Sequence, residues 1–306
     1  MRIRMGLLLV IAGLLALTPA SVGTASPGPD LLVGSRGTDS VLRYHGTTGA
    51  FVGTFVEPGS GGLNFPTGMV FGPDGNLYVS SGDSDQVLRY DGDSGAFIDA
   101  FVPTGSGGLD FPTGIAFGPD GNLYVSSRST NQVLRYDGNS GAFIDAFVPT
   151  GSGGLALPTI GLVFRPDGKL YVSSAGSNQV LRYNATTGAF LDVFVAADTA
   201  TSSGLRFPLA LAFSPGDDLF VSSEASNRVQ RYDGESGAFI STFAFGHGLS
   251  APLGLTFGPD GNLYVSSAGT DRVLRFDGTT GAFIDDFVSH RSGGLRSPGY
   301  LVFLSA

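Results

Sequence analysis

Residues 112–127 read PTGIAFGPDGNLYVSS, and this stretch decides the fold because it returns along the chain at nearly constant intervals. Its last five residues recur in recognisable form six times. The copies are Leu31–Ser35, Leu77–Ser81, Leu123–Ser127, Leu170–Ser174, Leu219–Ser223 and Leu263–Ser267, and successive copies start 46, 46, 47, 49 and 44 residues apart. A repeat of this length is typical of one blade of a β-propeller.

Each full unit is predicted to form four short strands. In the unit that begins at Pro112, the strands are residues 112–117, 123–127, 133–136 and 142–148. Gly118–Gly121 forms the first turn, because Pro presets φ and an Asp-Gly pair completes a tight turn. Asp137–Gly141 forms the second turn, where glycine adopts positive φ at little cost. Each unit is therefore a four-stranded antiparallel sheet.

The two ends of the chain carry complementary parts of one unit. Leu31–Ser35 is a second strand with no first strand before it, and Pro298–Phe303 is a first strand with no second strand after it. Pairing these ends completes a sixth blade and removes the edge that an open array would expose. The sequence thus predicts an all-β fold, a six-bladed β-propeller of four antiparallel strands per blade, closed by the N- and C-terminal strands.

The first strands carry small residues at one aligned position, which is expected where they converge on a central channel. The residues there are Gly68, Gly114, Gly161, Ala210, Gly254 and Tyr300. Only Tyr300, in the closing strand, is large. We therefore expect Tyr300 to lie at the channel mouth.

The N-terminal segment has the pattern of a secretory signal peptide. Arg2 and Arg4 precede an apolar run, and small residues follow it. We predict a signal peptide over residues 1–25, cleaved after Ala25 or alternatively after Ala20, and one propeller domain over residues 26–306. The chain has no cysteine, which excludes disulfides and thiolate metal sites. No second apolar span follows, so we expect a secreted protein, extracellular or periplasmic, with no membrane span in its mature form.

The charge of the chain argues against nucleic acid as a partner. The net charge is −9, and an acidic protein repels a phosphate backbone unless it carries a concentrated basic patch. The arginines are instead spread through the repeats. The expected partner is an unidentified protein or glycan.

The repeat resembles that of the NHL-repeat family of β-propellers. The shared pattern is Pro-x-Gly-x-x-Phe, then Pro-Asp-Gly-Asn-Leu-Tyr-Val, a short polar loop and Val-x-Arg-Tyr. It covers about Leu31 to Phe303 and implies the propeller fold, an architecture that hosts both binding proteins and enzymes. The family usually has Asp after the second strand. This chain has Ser there in all six copies: Ser35, Ser81, Ser127, Ser174, Ser223 and Ser267.

Enzymes with similar propellers define the alternative function. As these families are known, lactonases of the gluconolactonase type hold a divalent metal with Glu, Asn and Asp, and streptogramin lyases use His and Glu with Mg²⁺. This chain has few such residues, namely Glu57, Glu224, Glu235, His45, His247 and His290, and none is in a first strand. We therefore predict no catalytic residue, no metal ligand and no cofactor. A binding scaffold is favoured over a metal-dependent hydrolase or lyase, and a purely structural surface protein is a third possibility.

Candidate binding residues are found where the repeats differ, because function on a repeat scaffold usually lies in loops held by a rigid frame. After the second strands, the variable position holds Arg36, Gly82, Arg128, Ala175, Glu224 or Ala268. The last two inter-blade linkers carry His247 and His290-Arg291. The predicted binding residues are Arg36, Arg128, Glu224, His247, His290, Arg291 and Tyr300, with a cationic patch where Arg36 meets His290 and Arg291. The competing interpretation is that these are ordinary solvated side chains.

Overall fold

The computed structural model describes residues 28–197 and 204–304 and confirms the predicted fold. Six four-stranded antiparallel sheets form the six blades of a ring. The predicted signal peptide, residues 1–25, lies outside the described residues. Within the described ranges, no helix has the length and apolar character needed to cross a membrane.

The strands follow the predicted spacing closely. Blade 1 contains β1 (Leu31–Ser35), β2 (Ser40–Tyr44), β3 (Phe51–Val56) and the C-terminal strand β24 (Pro298–Phe303). Blade 2 contains β4 (Pro66–Phe71), β5 (Leu77–Ser81), β6 (Gln86–Tyr90) and β7 (Phe97–Val102). Blade 3 contains β8 (Pro112–Phe117), β9 (Leu123–Ser127), β10 (Gln132–Tyr136) and β11 (Phe143–Val148).

The second half of the ring repeats this order. Blade 4 contains β12 (Pro158–Phe164), β13 (Lys169–Ser174), β14 (Gln179–Asn184) and β15 (Phe190–Val195). Blade 5 contains β16 (Pro208–Phe213), β17 (Leu219–Ser223), β18 (Arg228–Tyr232) and β19 (Phe239–Phe245). Blade 6 contains β20 (Pro252–Phe257), β21 (Leu263–Ser267), β22 (Arg272–Phe276) and β23 (Phe283–Val288). Single 3₁₀ turns span Ser60–Gly62, Gly82–Ser84, Ser106–Gly108, Ser152–Gly154, Glu224–Ser226, Ala268–Thr270 and Ser292–Gly294.

The ring is closed as the sequence predicts, by pairing the two ends of the chain. β24 runs antiparallel to β1, with Leu31 opposite Phe303 and Val33 opposite Leu301. The Leu304 N–H extends this ladder by donating to the Asp30 carbonyl at 2.8 Å. Blade 1 therefore has the same four-stranded sheet as the other five blades, and the ring has no open end.

Aromatic rings from neighbouring blades form the core between the blades. The Tyr124 ring, from a second strand, meets Phe147 of its own blade at 4.8 Å and Phe164 of the next blade at 4.7 Å, both edge-on. Equivalent contacts hold Tyr78, Tyr171, Phe220 and Tyr264. Such pairs contribute about 0.5–1.5 kcal/mol beyond the burial of their area. The Phe at the end of each first strand thus packs across the blade interface.

The small residues of the first strands are required by the close approach of neighbouring strands. A Cβ atom added to Gly68 would lie 2.2 Å from the Thr113 carbonyl oxygen of the next blade. A Cβ added to Gly254 would lie 2.7 Å from the Gly299 carbonyl oxygen. Glycine at these positions therefore sets the distance between blades.

A side-chain-to-backbone hydrogen bond ties each blade to the next. In blade 2, Asp85 has a φ of 55° and its Oδ1 accepts the Phe111 N–H at 2.8 Å. The same inter-blade Asx bond occurs six times, at 2.6–2.8 Å: Asp39–Phe65, Asp85–Phe111, Asn131–Leu157, Asn178–Phe207, Asn227–Ala251 and Asp271–Ser297. The donor residue in every pair also has positive φ and directly precedes a proline. Each bond fixes the point at which the chain enters the next first strand.

The six serines that end the second strands have a structural role beside these bonds. Ser127 Oγ accepts the Asp110 N–H at 3.0 Å and donates to the Asp110 carbonyl at 3.2 Å. It also accepts a hydrogen bond from Thr130 Oγ1 at 2.7 Å. The other five serines make the equivalent bonds. They anchor the inter-blade linkers to the second strands.

The inter-blade Asx bond can be tested at Asp85. Replacing Asp85 with Gly removes the acceptor and keeps a residue that tolerates positive φ. We expect Asp85→Gly to lower the free energy of unfolding by about 1–3 kcal/mol, because the Phe111 N–H loses its partner. The free energy of unfolding of Asp85→Asn should stay close to that of the wild type, since Asn occupies the equivalent position in three blades. Urea unfolding measures both, and a wild-type stability for Asp85→Gly would contradict the assignment.

Candidate binding site at the channel mouth

The loops after the second strands form the rim of the channel, and charged and small residues alternate around it. Blades 1, 3 and 5 contribute Arg36, Arg128 and Glu224, whereas blades 2, 4 and 6 contribute Gly82, Ala175 and Ala268. The backbone N–H of each rim residue donates to the carbonyl of the positive-φ residue before the first strand of the same blade, at 3.0–3.4 Å. The backbone of the rim is therefore fixed in the same way in all six blades, whatever the side chain.

The three charged rim side chains surround a cavity of about 330 Å³, which we call the cup. Its mouth also holds three aromatic residues, Phe65, Phe111 and Phe207. Its wall is formed mainly by Thr67, Thr113, Thr159, Ile160, Leu209 and Leu253. The charged groups thus lie above a wall of uncharged side chains.

Arg128 is the cation of the rim that has no protein partner. Its Cζ atom lies 5.4 Å from the centre of the Phe111 ring and 5.9 Å from that of Phe207. Within residues 28–197 and 204–304, its guanidinium forms no ion pair and no hydrogen bond, and its Nε is buried without a partner. A buried donor without an acceptor costs free energy. The guanidinium is thus held in place by aromatic faces and is free to bind an anion.

Arg36 is held by hydrogen bonds as well as by an aromatic ring. Its terminal nitrogen donates to Ser297 Oγ at 2.8 Å and its Nε to the Ser297 carbonyl at 3.3 Å, with the Phe65 ring centre 4.9 Å from its Cζ. Burial lowers the pKa of Arg36 to about 10, Glu224 opposes that shift, and Arg128 adds to it. The three rim charges therefore act on one another across the cup. An anion placed between the two arginines would offset the cost of burying Arg36.

Glu224 brings a negative charge to the same mouth. Its carboxylate is half-buried, and it has no ion-pair partner among the residues that the structure describes. All ion pairs found in this part of the chain lie elsewhere, for example between Arg135 and Asp145. Within the described part of the chain, the mouth thus presents two cations and one anion that form no ion pair.

The wall of the cup offers few free hydrogen-bond donors. The hydroxyls of Thr67, Thr113 and Thr159 already donate to first-strand carbonyls of the next blade, at 2.8, 3.1 and 2.9 Å. Leu209 and Leu253 take the place of Thr in blades 5 and 6. The wall therefore suits an apolar group, and the mouth suits a charged one.

The structure brings three of the seven predicted binding residues together in the cup: Arg36, Arg128 and Glu224. The others are outside its lining. The His247 ring stacks on Phe283 with ring centres 4.4 Å apart. His290 Nδ1 lies 2.9 Å from the Thr270 carbonyl, and Arg291 pairs with Asp271 at 2.8 Å.

Arg36 and Arg291 do not form the predicted cationic patch, and Tyr300 does not line the cup. Arg36 bonds to Ser297 and faces the cup, whereas Arg291 is engaged by Asp271, so their contacts do not join them in one cationic patch. Tyr300 is half-buried in β24 and packs against the apolar core of blades 1 and 2, where burial raises the pKa of its hydroxyl. Tyr300 is therefore associated with the core and not with the lining of the cup.

Sequence reasoning missed the aromatic residues of the mouth. Phe65, Phe111 and Phe207 each precede a first-strand proline and have φ values of 59°, 52° and 52°. The aligned residues in the other blades are Leu157, Ala251 and Ser297. This position varies between repeats as strongly as the rim position does. That variation could have identified it in the sequence as a candidate binding position. Ile160 was missed because β12 is one residue longer than most first strands.

The donor set of the described residues contains no group of three or more His, Cys, Asp or Glu side chains placed to hold a metal ion. Of the three charged rim residues, only Glu224 has a side chain that can coordinate a metal ion through oxygen. The guanidinium groups of Arg36 and Arg128 at the same mouth can bind an anion.

Comparison with known proteins supports the fold. No family model matches the chain, and no curated protein matches it. Among solved structures, a chain of a nidogen/laminin complex superposes with a TM-score of 0.72 at 16% identity, covering 91% of this chain and 99% of that one. A catalytically inactive variant of virginiamycin B lyase from Staphylococcus aureus, solved with quinupristin, gives a TM-score of 0.60 at 15% identity, covering 89% and 88%. The shared feature is the propeller, which serves in both a binding complex and a lyase.

The unpartnered state of Arg128 predicts how its removal affects stability. Arg128→Met should leave the free energy of unfolding unchanged or raise it, because no ion pair is lost, an unpartnered buried donor is removed, and a thioether contact with Phe111 and Phe207 replaces the cation–π contact. Arg135→Met in the same blade is the matched control, since Arg135 pairs with Asp145 at 2.5 Å. That variant should lose about 0.5–1 kcal/mol. Urea unfolding of both checks this, and a larger loss for Arg128→Met would reveal a structural partner.

Proposed function

We propose that the chain is a secreted, non-catalytic binding protein whose cup takes an anionic group of its ligand. The observation that carries the proposal is the guanidinium of Arg128, which lies over Phe111 and Phe207 at the mouth and has no ion-pair partner among the described residues. Arginine is well suited to carboxylate recognition, because its planar fork of donors matches the two oxygens. Arg36 adds a second cation beside it.

The architecture supports binding because the mouth is rigid before any ligand arrives. The rim residues are fixed by backbone hydrogen bonds, and the inter-blade Asx bonds fix the residues beside them. A site that is already ordered loses little conformational entropy when it binds. The same fold serves binding in the nidogen/laminin complex and catalysis in virginiamycin B lyase, so the fold alone does not choose between them. The side chains of the cup favour binding.

The chemistry common to the possible ligands is a carboxylate. It can come from an acidic side chain of a protein, from an acidic glycan or from a small organic acid. Glu224 disfavours a second negative charge at the mouth, so a monoanionic head group is preferred over a dianion. The uncharged wall below accepts the part of the ligand that carries no charge.

The proposal can be tested by thermal unfolding of residues 26–306 with sodium acetate, benzoate or succinate, each compared with chloride at equal ionic strength. A ligand at about a hundred times its Kd stabilises the native state by about 2.7 kcal/mol. That corresponds to a rise in Tm of several degrees for a chain of this size. We expect a rise for the wild type and for Arg296→Gln, an exposed arginine on the same face that does not line the cup. We expect none for the double variant Arg36→Gln/Arg128→Gln.

Two results would contradict the proposal. The first is a carboxylate-induced rise that persists in the double variant, which would place the site elsewhere. The second is a Tm that falls with EDTA and is restored by Ca²⁺, Mg²⁺ or Zn²⁺ but ignores carboxylates. That result would favour the metal-dependent hydrolase or lyase.

Secretion is tested separately. The N-terminal pattern of Arg2 and Arg4 before an apolar run predicts export and cleavage after Ala25. N-terminal sequencing of the protein recovered outside the cytoplasm should therefore begin at Ser26, or at Ser21 if the alternative site is used. Recovery of the uncleaved chain inside the cell alone would contradict the proposal.

A further inference from the structure

The mouth of the cup carries both positive and negative groups. A simple anion can pair only with the positive ones. Arg128 and Arg36 supply two guanidinium groups, and Glu224 supplies a carboxylate. No ion pair joins Glu224 to either arginine, nor to any other residue that the structure describes. A monocarboxylate would engage the arginines and leave the half-buried Glu224 without a partner. A ligand with an adjacent cation would satisfy all three.

The wall limits what can lie beneath the charged groups. The threonine hydroxyls of blades 2, 3 and 4 already donate to carbonyls. Leu209 and Leu253 of blades 5 and 6 and Ile160 of blade 4 supply apolar surface. A polar ligand group placed there would lose its bonds to water without gaining new ones, which is costly. The lower part of the ligand should therefore be apolar.

The volume limits the size of the ligand. A cup of about 330 Å³ lies at the lower end of the range of about 300–1,000 Å³ for small-molecule sites. It holds a compact molecule and not an extended chain. Both charged groups of the ligand must therefore be close together, at one end of a short apolar body.

We propose that the cup binds a free α-amino acid with an apolar side chain, an inference that rests on the proposed function and names its ligand class. The α-carboxylate lies on the arginines, the α-ammonium lies on Glu224, and the side chain enters the cup toward Leu209 and Leu253. A peptide terminus does not meet these requirements, because a C-terminal residue lacks the ammonium and an N-terminal residue lacks the carboxylate. Glu224 is thus the residue that selects the zwitterion.

The test compares ligands that differ by one group. Calorimetry with residues 26–306 measures the Kd of leucine, of 4-methylpentanoate (leucine without its amine), of leucinamide and of N-acetylleucine. The same comparison is made with phenylalanine and 3-phenylpropanoate. In at least one of these pairs, we expect the amino acid to bind at least about tenfold more tightly than its analogue, because a charge-assisted hydrogen bond is lost without the amine. Arg128→Gln should weaken all carboxylates, and Arg296→Gln should weaken none.

Glu224→Gln separates this inference from the proposed function. In that variant, the preference for leucine over 4-methylpentanoate should fall to about one, while binding of 4-methylpentanoate is kept or improved. Suppose that the wild type binds 4-methylpentanoate and 3-phenylpropanoate as tightly as the amino acids, and that Arg128→Gln abolishes that binding. The inference that the cup selects a zwitterion is then wrong, whereas the proposed binding of an anionic group is supported. If no carboxylate binds at all, the inference and the proposed function both fail.

Discussion

The inter-blade Asx bond is the interaction on which the rest of the structure depends. A carboxylate or amide oxygen at positive φ accepts the N–H of a residue that is also at positive φ and precedes a proline. That residue has no regular strand partner, and its conformation is unfavourable for a bulky side chain such as Phe111. Six such bonds stabilise six unfavourable backbone conformations, and each one sets where the next first strand begins. The position of the strands around the channel follows from them.

The same bond connects the scaffold to the site. Phe65, Phe111 and Phe207 are donors in three of the Asx bonds and also form part of the mouth. Two of them flank Arg128, and the third lies under Arg36. A residue in extended conformation at this point would lengthen the first strand at its start. The positive φ turns the chain at this point. The backbone conformation that fixes the next blade of the propeller therefore also places an aromatic side chain beside a cation.

The repeat allowed the ring, the four strands of each blade and the pairing of its ends to be predicted, because turn residues and periodic apolar residues act locally. The rim residues Arg36, Arg128 and Glu224 were also found, since they differ between otherwise equal units. The direction of each side chain was not predictable. Arg291 and Arg36 are both linker or loop arginines near the closing blade, yet Asp271 engages one and Ser297 the other. The Asx bonds escaped notice because Asp and Asn in loops have an ordinary interpretation as turn formers.

The positions that vary are those whose side chains the scaffold does not use. At the rim, the backbone N–H makes the same hydrogen bond in every blade, and Gly82 makes it as Arg128 does. Elsewhere the arginines have partners in the fold: Arg89, Arg135, Arg182 and Arg275 each pair with an Asp of the adjacent fourth strand. Among the residues that the structure describes, Arg128 has no such partner, and its side chain has no role in the backbone of its loop. Because the small residues of the alternate blades show that the ring closes without an arginine here, this position supports the proposal that Arg128 binds a ligand.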